Sequence, residues 1–316
     1  MQTPSSKSKY IGILDDWYLI EKLLDYGGTS NIYKVFDRVA GQIKIAKILN
    51  STSCPEFQNE MEIFKILSDS PFVIKCFTFG EGPLSTQNNE IKKYIILECA
   101  KGSLLHYMTQ TDITLSKETL QFISYLFIKG IQDIHKRGIS HRDIKLENVL
   151  LVGDDYSLKF CDFGLSKSFF DENNKKIKFE YKCLIGSDYH YPPEILEKCN
   201  YDGEKADIFS AGISLFSLMA KRFLFKKATQ KNKLYKLICN NKIQEFWNAV
   251  DYKGLLSSQF RDLFIKMVAY DPTQRPSIEE ILNHPFFGEL RNPNEDILNY
   301  YKAKMVSEFQ KGNSNI

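Results

Sequence analysis

Paired cysteines, an excess of one charge and a long unbroken apolar run are all missing from this chain, and each absence removes a class of protein. The seven cysteines, at positions 54, 76, 99, 161, 183, 199 and 239, are odd in number, scattered and never spaced C-x-x-C. That argues against a disulfide framework or a zinc site and fits a reducing, cytoplasmic setting, with nuclear access left open. A net charge of +3, from 42 Lys+Arg against 39 Asp+Glu, supplies no global basic field, so any basic patch is local. Neither a nucleic-acid nor a membrane partner is expected, and a monomer is. The longest apolar run, Ile208 to Ala220, is too short to span a bilayer and is interrupted by Ser210, Ser214 and Ser217, so it reads as a buried core helix. Gln2 stands where myristoylation needs glycine, no apolar signal core follows Met1, and no C-terminal cysteine is present for prenylation, so no address is expected.

What is present is a 316-residue chain with 43% hydrophobic residues, enough for one large core or two smaller ones. Residues 1–16, rich in Ser, Lys and Thr, read as a loose leader. From Tyr18 to Leu97 short β-branched or aromatic runs (Ile32 to Phe36, Ile43 to Leu49, Val73 to Phe79, Tyr94 to Leu97) alternate with turns at Asp37 to Gly41 and Gly80 to Pro83, with one helical stretch. This predicts a small, mostly antiparallel sheet with a helix. From Leu104 the periodicity turns helical, as in Leu120 to Phe127, Asp207 to Met219 and Gln259 to Tyr270. After Gly288 a charged, Asn-rich tail carries one amphipathic stretch, Ile297 to Met305.

Two motifs carry chemistry: His141-Arg142-Asp143-Ile144-Lys145-Leu146-Glu147-Asn148, and Asp162-Phe163-Gly164. Either alone is explained as a solvated charged loop or a tight turn. Together, about twenty residues apart around the strand-like run Ser157 to Cys161, they match the needs of phosphoryl transfer. That reaction asks for a positioner of the acceptor hydroxyl (Asp143), a cation against the γ-phosphate (Lys145) and hard oxygen ligands for Mg²⁺ (Asn148 and Asp162).

On these residues the chain resembles the eukaryotic protein kinase family, Ser/Thr type, over about residues 17 to 290. The resemblance implies an α+β, bilobal fold: a small antiparallel β-sheet N-lobe with one main helix (17–99), a mostly α-helical C-lobe (103–288) and a C-terminal tail (289–316). It implies ATP and Mg²⁺ as cofactors and protein or peptide substrates as partners. The stretch Leu24-Asp25-Tyr26-Gly27-Gly28-Thr29-Ser30-Asn31-Ile32 is similar to the glycine-rich phosphate loop, with Asp25 and Ser30 where the first and third glycines usually stand. Alternation through Ile43-Lys44-Ile45-Ala46-Lys47 puts Lys47 among apolar residues and matches it to the phosphate-pairing lysine, leaving Lys44 as an ordinary solvated side chain. Ile45 replaces a small alanine over the adenine, implying a tighter nucleotide pocket.

The helix after Pro55 presents Glu60 on the same face as Ile63, Phe64 and Leu67, which makes Glu60 the expected partner of Lys47, with Glu56 as the alternative. Tyr94 to Ala100 resembles the adenine-binding strand and hinge: Leu97 as gatekeeper, Glu98 C=O and Ala100 N–H to the adenine edge, Leu150 beneath the ring and Ile32 and Ile45 above it. Gly186-Ser187-Asp188-Tyr189-His190-Tyr191-Pro192-Pro193-Glu194 resembles the end of the activation segment, with His190 in place of Tyr and Pro192 in place of Ala. Glu194 is expected to pair with Arg275, and Asp207, opening the apolar helix, to brace the catalytic loop.

In this family an Arg such as Arg142 often faces an activation-loop phosphate, yet Cys183 occupies the usual site and the nearest phosphorylatable residue upstream is Tyr181, beside Glu180. Activity independent of loop Thr phosphorylation is the expectation. Lys145 favours Ser/Thr over Tyr, and Lys145-Leu146-Glu147-Asn148 resembles the calcium/calmodulin-dependent-kinase-like group, in which the equivalent of Glu147 often meets a basic substrate residue. The rival readings are a pseudokinase scaffold, suggested by Asp25, Ser30, Ile45 and His190, and a small-molecule kinase of the same fold, which would ordinarily lack Glu194 and Arg275.

Overall fold

Strand-forming runs separated by tight turns build the N-terminal part of the chain. Strands β1 (Gly12–Leu14), β2 (Tyr18–Tyr26), β3 (Ser30–Asp37), β4 (Gln42–Leu49), β5 (Cys76–Leu84) and β6 (Glu90–Leu97) pair antiparallel and close into a barrel in the order β1-β2-β3-β4-β6-β5. Helix α1 (Pro55–Ile66) follows β4 in sequence. The computed structural model describes residues 10–51, 55–109, 113–181, 189–251 and 253–313. It divides into two compact units, one made of residues up to Ser68 with Ile74–Ala100, the other of Asp69–Val73 with Lys101 onward.

The barrel is filled by Leu14, Tyr18, Ile20, Val35, Ala46, Ile48 and Ile96. Its closure corrects three expectations. The leader is already ordered at Gly12, because Leu14 is fully buried and pairs with Leu84 to shut the barrel, a role that a three-residue strand does not advertise by pattern. The expected turn at Gly80 to Pro83 is continuous strand, with Gly80 opposite Tyr94 and Pro83 opposite Ile91; a Cβ on Gly80 would run into the Tyr94 ring. Lys44 is buried at 7% exposure, on the inward face with Ala46 and Ile48. Its Nζ lies 2.7 Å from Asp37 Oδ2 and 4.1 Å over the Phe77 ring. Burial would raise the Asp37 pKa, but donation from Lys44 and from the Ala40 and Val39 N–H groups prevails and holds it below the usual carboxylate range. Alternation sorts the two faces correctly without saying which one the closed barrel turns inward.

In the second unit, β7 (Ala100–Ser103), α2 (Leu104–Thr109), α3 (Lys117–Lys136), β8 (Ile139–Ser140), β9 (Val149–Val152), β10 (Ser157–Phe160) and β11 (Lys167–Ser168) precede seven further helices. These are α4 (Pro193–Leu196), α5 (Gly203–Ala220), α6 (Lys233–Cys239), α7 (Ile243–Val250), α8 (Ser258–Met267), α9 (Ile278–Leu282) and α10 (Glu295–Asn313). Strands β7, β9 and β10 form one small sheet and β8 with β11 another.

Helix α5 is buried on nearly every side, as its apolar run requires. Its serines are compatible with that burial because Ser210, Ser214 and Ser217 each return a hydroxyl to the carbonyl four residues back. Capping by Asp202, which accepts from Lys205 N–H, starts the helix at Gly203, so Asp207 sits in its second turn rather than at its opening.

The segment after Gly288 forms α10, which buries Tyr301, Met305 and Phe309, one turn apart along one face. Phe309 stacks on Tyr156 at 4.9 Å and meets Tyr107 edge-on at 5.1 Å. Burial of such side chains contributes about 1.5–3 kcal/mol each. Lys302 reaches Asp155 at 2.9 Å and Glu308 accepts the Ser116 N–H at 2.9 Å. Among the described residues no helix is long and apolar enough to cross a membrane.

Candidate active site

In the C-terminal unit, α5 fixes the backbone on which the catalytic loop is built. Asp207, 1% exposed, accepts from His141 N–H and Arg142 N–H at 2.8 Å each, from Ser140 Oγ at 3.0 Å and from His135 Nε2 at 2.8 Å. Burial would raise its pKa, and these donors, His135 first, lower it, so the carboxylate stays charged. Four donors on one buried carboxylate hold Arg142 in the left-handed region, at φ 65°.

The loop that follows is tied to itself. Asp143 Oδ2 accepts from Lys145 Nζ at 2.7 Å and from Asn148 Nδ2 at 2.8 Å, and the same Nδ2 donates to the Asp143 carbonyl at 2.9 Å. With its nitrogen committed twice to Asp143, the Asn148 amide presents its oxygen on the other side. Burial pushes the Lys145 pKa down, but Asp143, then Glu147 and Asp162, push it up by more, so Lys145 keeps its charge.

Asp162 is brought to this loop by the β9–β10 hairpin. Cys161 N–H donates to the Asn148 carbonyl at 3.0 Å, which extends the hairpin ladder and places Asp162 one residue beyond it. Asp162 is exposed and has φ 63°, a second left-handed non-glycine residue within the motifs. His141 locks the two motifs together. Asp143 N–H donates to its Nδ1 at 3.3 Å, so Nε2 carries the proton and donates to the Cys161 carbonyl at 3.1 Å, while its ring packs on Phe163 at 4.9 Å. A carboxylate and an oriented amide oxygen are a hard-oxygen donor pair of the kind Mg²⁺ takes, with water and phosphate oxygens completing its shell.

The N-terminal unit places the other candidate residues by strand register. Ile32 pairs with Lys47, Ile45 with Leu97, and Lys47 with Ile95, so Ile32, Ile45, Lys47 and Leu97 share one face of the barrel. Lys47 Nζ donates to both Glu60 carboxylate oxygens at 2.8 Å, and Glu60 is 4% exposed. The side chain of Glu56 lies outside the described residues.

In the phosphate-loop candidate, Leu24, Asp25, Tyr26, Gly27, Gly28 and Thr29 are exposed, while Ser30 and Asn31 turn inward at the start of β3. Gly27 N–H donates to the Ser30 carbonyl at 3.0 Å to close the hairpin tip, and a Cβ on Gly27 would meet that same carbonyl oxygen at 2.7 Å. Nothing lies within 4 Å of a Cβ on Gly28. Asn50 tethers the tip, its Nδ2 donating to the Gly27 and Gly28 carbonyls at 3.0 and 3.2 Å. Asn50 is not marked by the sequence; its only signal is an amide directly after the last residue of β4, which is no signal alone. At the hinge, Leu97 ends β6, Glu98 N–H donates to the Lys75 carbonyl at 2.9 Å, and Ala100 opens β7 at the boundary of the two units. Leu150 is half-buried in β9, opposite Lys159.

Downstream, Arg275 Nη1 and Nη2 each donate to Glu194 at 2.7 Å, with Nε on the Ala269 carbonyl and the guanidinium 4.9 Å over Phe209. His190 is 6% exposed and its Nδ1 has no hydrogen-bond partner among the described residues. Burial, helped by the Lys145 charge and opposed by Asp143, pushes its pKa down to about 4, so the ring is neutral. Arg142 donates Nε to Tyr201 Oη at 2.8 Å and Nη1 to the Leu165 carbonyl at 3.0 Å, and lies 5.4 Å from the centre of the Phe179 ring. Tyr181 packs on the cluster of Phe169, Phe179, Tyr191 and Tyr201. Cys183, Gly186, Ser187 and Asp188 lie outside the described residues.

A barrel bearing a Lys–Glu pair, and a helical unit bearing an Asp–Lys–Asn loop beside an Asp-Phe-Gly turn, define a class. The protein kinase domain family matches residues 18–287, and the chain belongs to it. Among curated relatives, calcium-dependent protein kinase 5 of Plasmodium berghei is 28% identical over 94% of this chain and 51% of its own length. The serine/threonine-protein kinase chk1 of Schizosaccharomyces pombe is 28% identical over 85% of this chain and 53% of its own. A probable serine/threonine-protein kinase of Dictyostelium discoideum is 30% identical over 85% and 30%. The chain thus spans about half or less of the length of these relatives, and the first two are consistent with the calcium/calmodulin-dependent-kinase-like resemblance read from Lys145 to Asn148.

Proposed function

We propose that this chain transfers the γ-phosphate of ATP to serine and threonine hydroxyls of protein substrates. The observation that carries this is the Asp143 carboxylate held between Lys145 and Asn148, with the Asn148 amide nitrogen spent on Asp143 and the Asp162 charge near enough to act on Lys145. Asp143 orients the acceptor hydroxyl and takes its proton. Lys145 offsets charge on the transferring phosphoryl group, and Lys47, steered by Glu60, meets the α- and β-phosphates. Asn148 and Asp162 would hold Mg²⁺, which when bound neutralises developing charge on the phosphate oxygens. Ile32, Ile45 and Leu97 supply apolar surface for adenine.

Basic substrates are favoured by Glu147, a half-buried carboxylate on the catalytic loop whose negative charge already acts on Lys145. Activity without loop phosphorylation is supported by Arg142, two of whose five N–H groups already donate to Tyr201 Oη and the Leu165 carbonyl. Phosphatase treatment is expected to leave activity unchanged, and restoration of a lost activity by phosphate on the loop would refute that. The central experiment incubates the chain with labelled ATP and Mg²⁺ on a basic peptide library beside Asp162→Asn. Incorporation only by the wild type supports the kinase; equal signal from both proteins points to a scaffold without turnover.

A further inference from the structure

From Lys221 to Lys236 the chain carries seven lysines and arginines and no carboxylate, and the acid-free run extends from Ile208 to Gln244. In a protein with nearly balanced charge, this is where the positive field gathers. Lys221, Arg222, Lys226, Lys231, Lys233 and Lys236 are all exposed. Lys221 and Arg222 donate to the carbonyls of Ile113 and Val250, which leaves their charges uncancelled. Lys226, Lys231, Lys233 and Lys236 make no ion pair among the described residues. The neighbouring helix shows the ordinary solution, Lys242 beside Glu245 at 2.9 Å. Helix α6 has none: Lys233 is its first residue, where the helix dipole favours a carboxylate, and Lys236 follows on the same face. Glu197, whose charge reaches Cys239 of α6, already accepts from Tyr270 Oη at 2.8 Å.

The patch starts beside the chemistry. Phe223, 46% exposed, meets the Tyr189 ring at 5.9 Å, and Tyr189 adjoins His190, whose ring senses Asp143 and Lys145. We propose that this segment docks an acidic stretch of the protein substrate whose hydroxyl Asp143 receives, an inference that rests on the kinase reading. Six of the seven cations are lysines, flexible point charges that can meet carboxylates spread along a mobile chain without a fixed bidentate geometry. Phe223 is the sole large apolar side chain of the run that is strongly exposed; Leu224, Phe225 and Tyr235 are buried, so there is neither an apolar face for lipid nor a series of rings for stacked bases.

The test compares two fluorescent peptides with one acceptor sequence, with and without an appended run of about six glutamates, by anisotropy without nucleotide and by steady-state kinetics. At low salt the acidic run is expected to tighten binding and lower KM roughly ten-fold with kcat unchanged, and the gain is expected to vanish near 0.3 M salt. The quadruple variant Lys226→Glu, Lys231→Glu, Lys233→Glu, Lys236→Glu should lose the gain while keeping its melting temperature and its kcat on the short peptide. A Lys→Gln set at the same positions, expected to lose most of it, replaces that variant if it fails to fold. Equal binding of the acidic peptide to wild type and variant overturns the proposal. So does tighter, variant-sensitive binding to phosphatidylserine vesicles or to a single-stranded oligonucleotide. Binding retained without any phosphorylation counts against the kinase reading alone.

Discussion

The catalytic loop and the phosphate-loop hairpin serve one reaction and are built in opposite ways. Around Asp143, position is imposed from inside: Asp207 holds the backbone, His141 joins the two motifs, and Lys145 and Asn148 fix the carboxylate. At Gly27 and Gly28 the chain is exposed, and one amide, Asn50, fastens the tip. A pre-set electrostatic site loses most when one charge is removed, because its surroundings are arranged for that charge. A tethered backbone loop tolerates more, because its contacts are weak singly and its φ/ψ demands fall on few residues. The largest effect therefore belongs to Asp143→Asn. It keeps the hydrogen-bond acceptor for Lys145 and Asn148, so thermal unfolding should be unchanged while kcat falls about 10²–10⁴-fold. Retention of kcat within a factor of about three would break the comparison at its stronger end.

Next in size is the buried pair that supports the activation segment. Glu194→Ala leaves the Arg275 guanidinium, fully buried, without its carboxylate. A loss of about 3–5 kcal/mol in urea unfolding is expected. A loss below about 1 kcal/mol would show that the Ala269 and Lys205 carbonyls and the Phe209 ring suffice for Arg275.

His190 gives a pH-dependent version of the same test. Its pKa in the folded chain, about 4, lies below the ordinary 6.5, so the unfolded chain binds more protons between those values and stability rises with pH across that window. The ring's neutral form thus stabilises the fold above pH 6.5, and this contribution is lost as pH falls towards 4. Wild type minus His190→Gln should show a difference of about 3 kcal/mol between pH 6.5 and 4, read from urea midpoints, and a flat difference would place the ring in water.

The same contrast explains what could be read from the residues. Asp143, Asn148, Asp162, Lys47 and Glu60 were legible because each is a charged or hard-oxygen group whose chemistry names its partners, and the structure puts Lys47 on Glu60 and Asn148 on Asp143. Glu194 and Arg275 were legible for the same reason. Lys44 was not, since alternation assigns it a face and only barrel closure shows that this face is the interior. Strand β1 was not, because three residues carry no period. Helix α10 showed only its N-terminal half in the pattern, since the C-terminal end of its contact face depends on Tyr156, Tyr107 and Ser116 far away in sequence. Asn50 was invisible because an exposed amide acquires a role only from the carbonyls that the fold brings to it.

The smallest effects lie at the hairpin tip, and they separate the glycines. A methyl at Gly27 would meet the Ser30 carbonyl oxygen at 2.7 Å, across the bond that closes the turn, whereas one at Gly28 meets nothing within 4 Å. The two adjacent glycines are therefore unequal, and one suffices for the turn. Gly27→Ala is expected to raise the KM for ATP about five- to ten-fold, and Asn50→Ala, which releases two neutral hydrogen bonds, about three- to five-fold, corresponding to roughly 1 kcal/mol. Gly28→Ala should stay within two-fold of wild type. If Gly28→Ala matched Gly27→Ala, close backbone approach to the phosphates would be the governing constraint instead of the turn, and the degenerate glycine pattern would then limit nucleotide affinity in its own right.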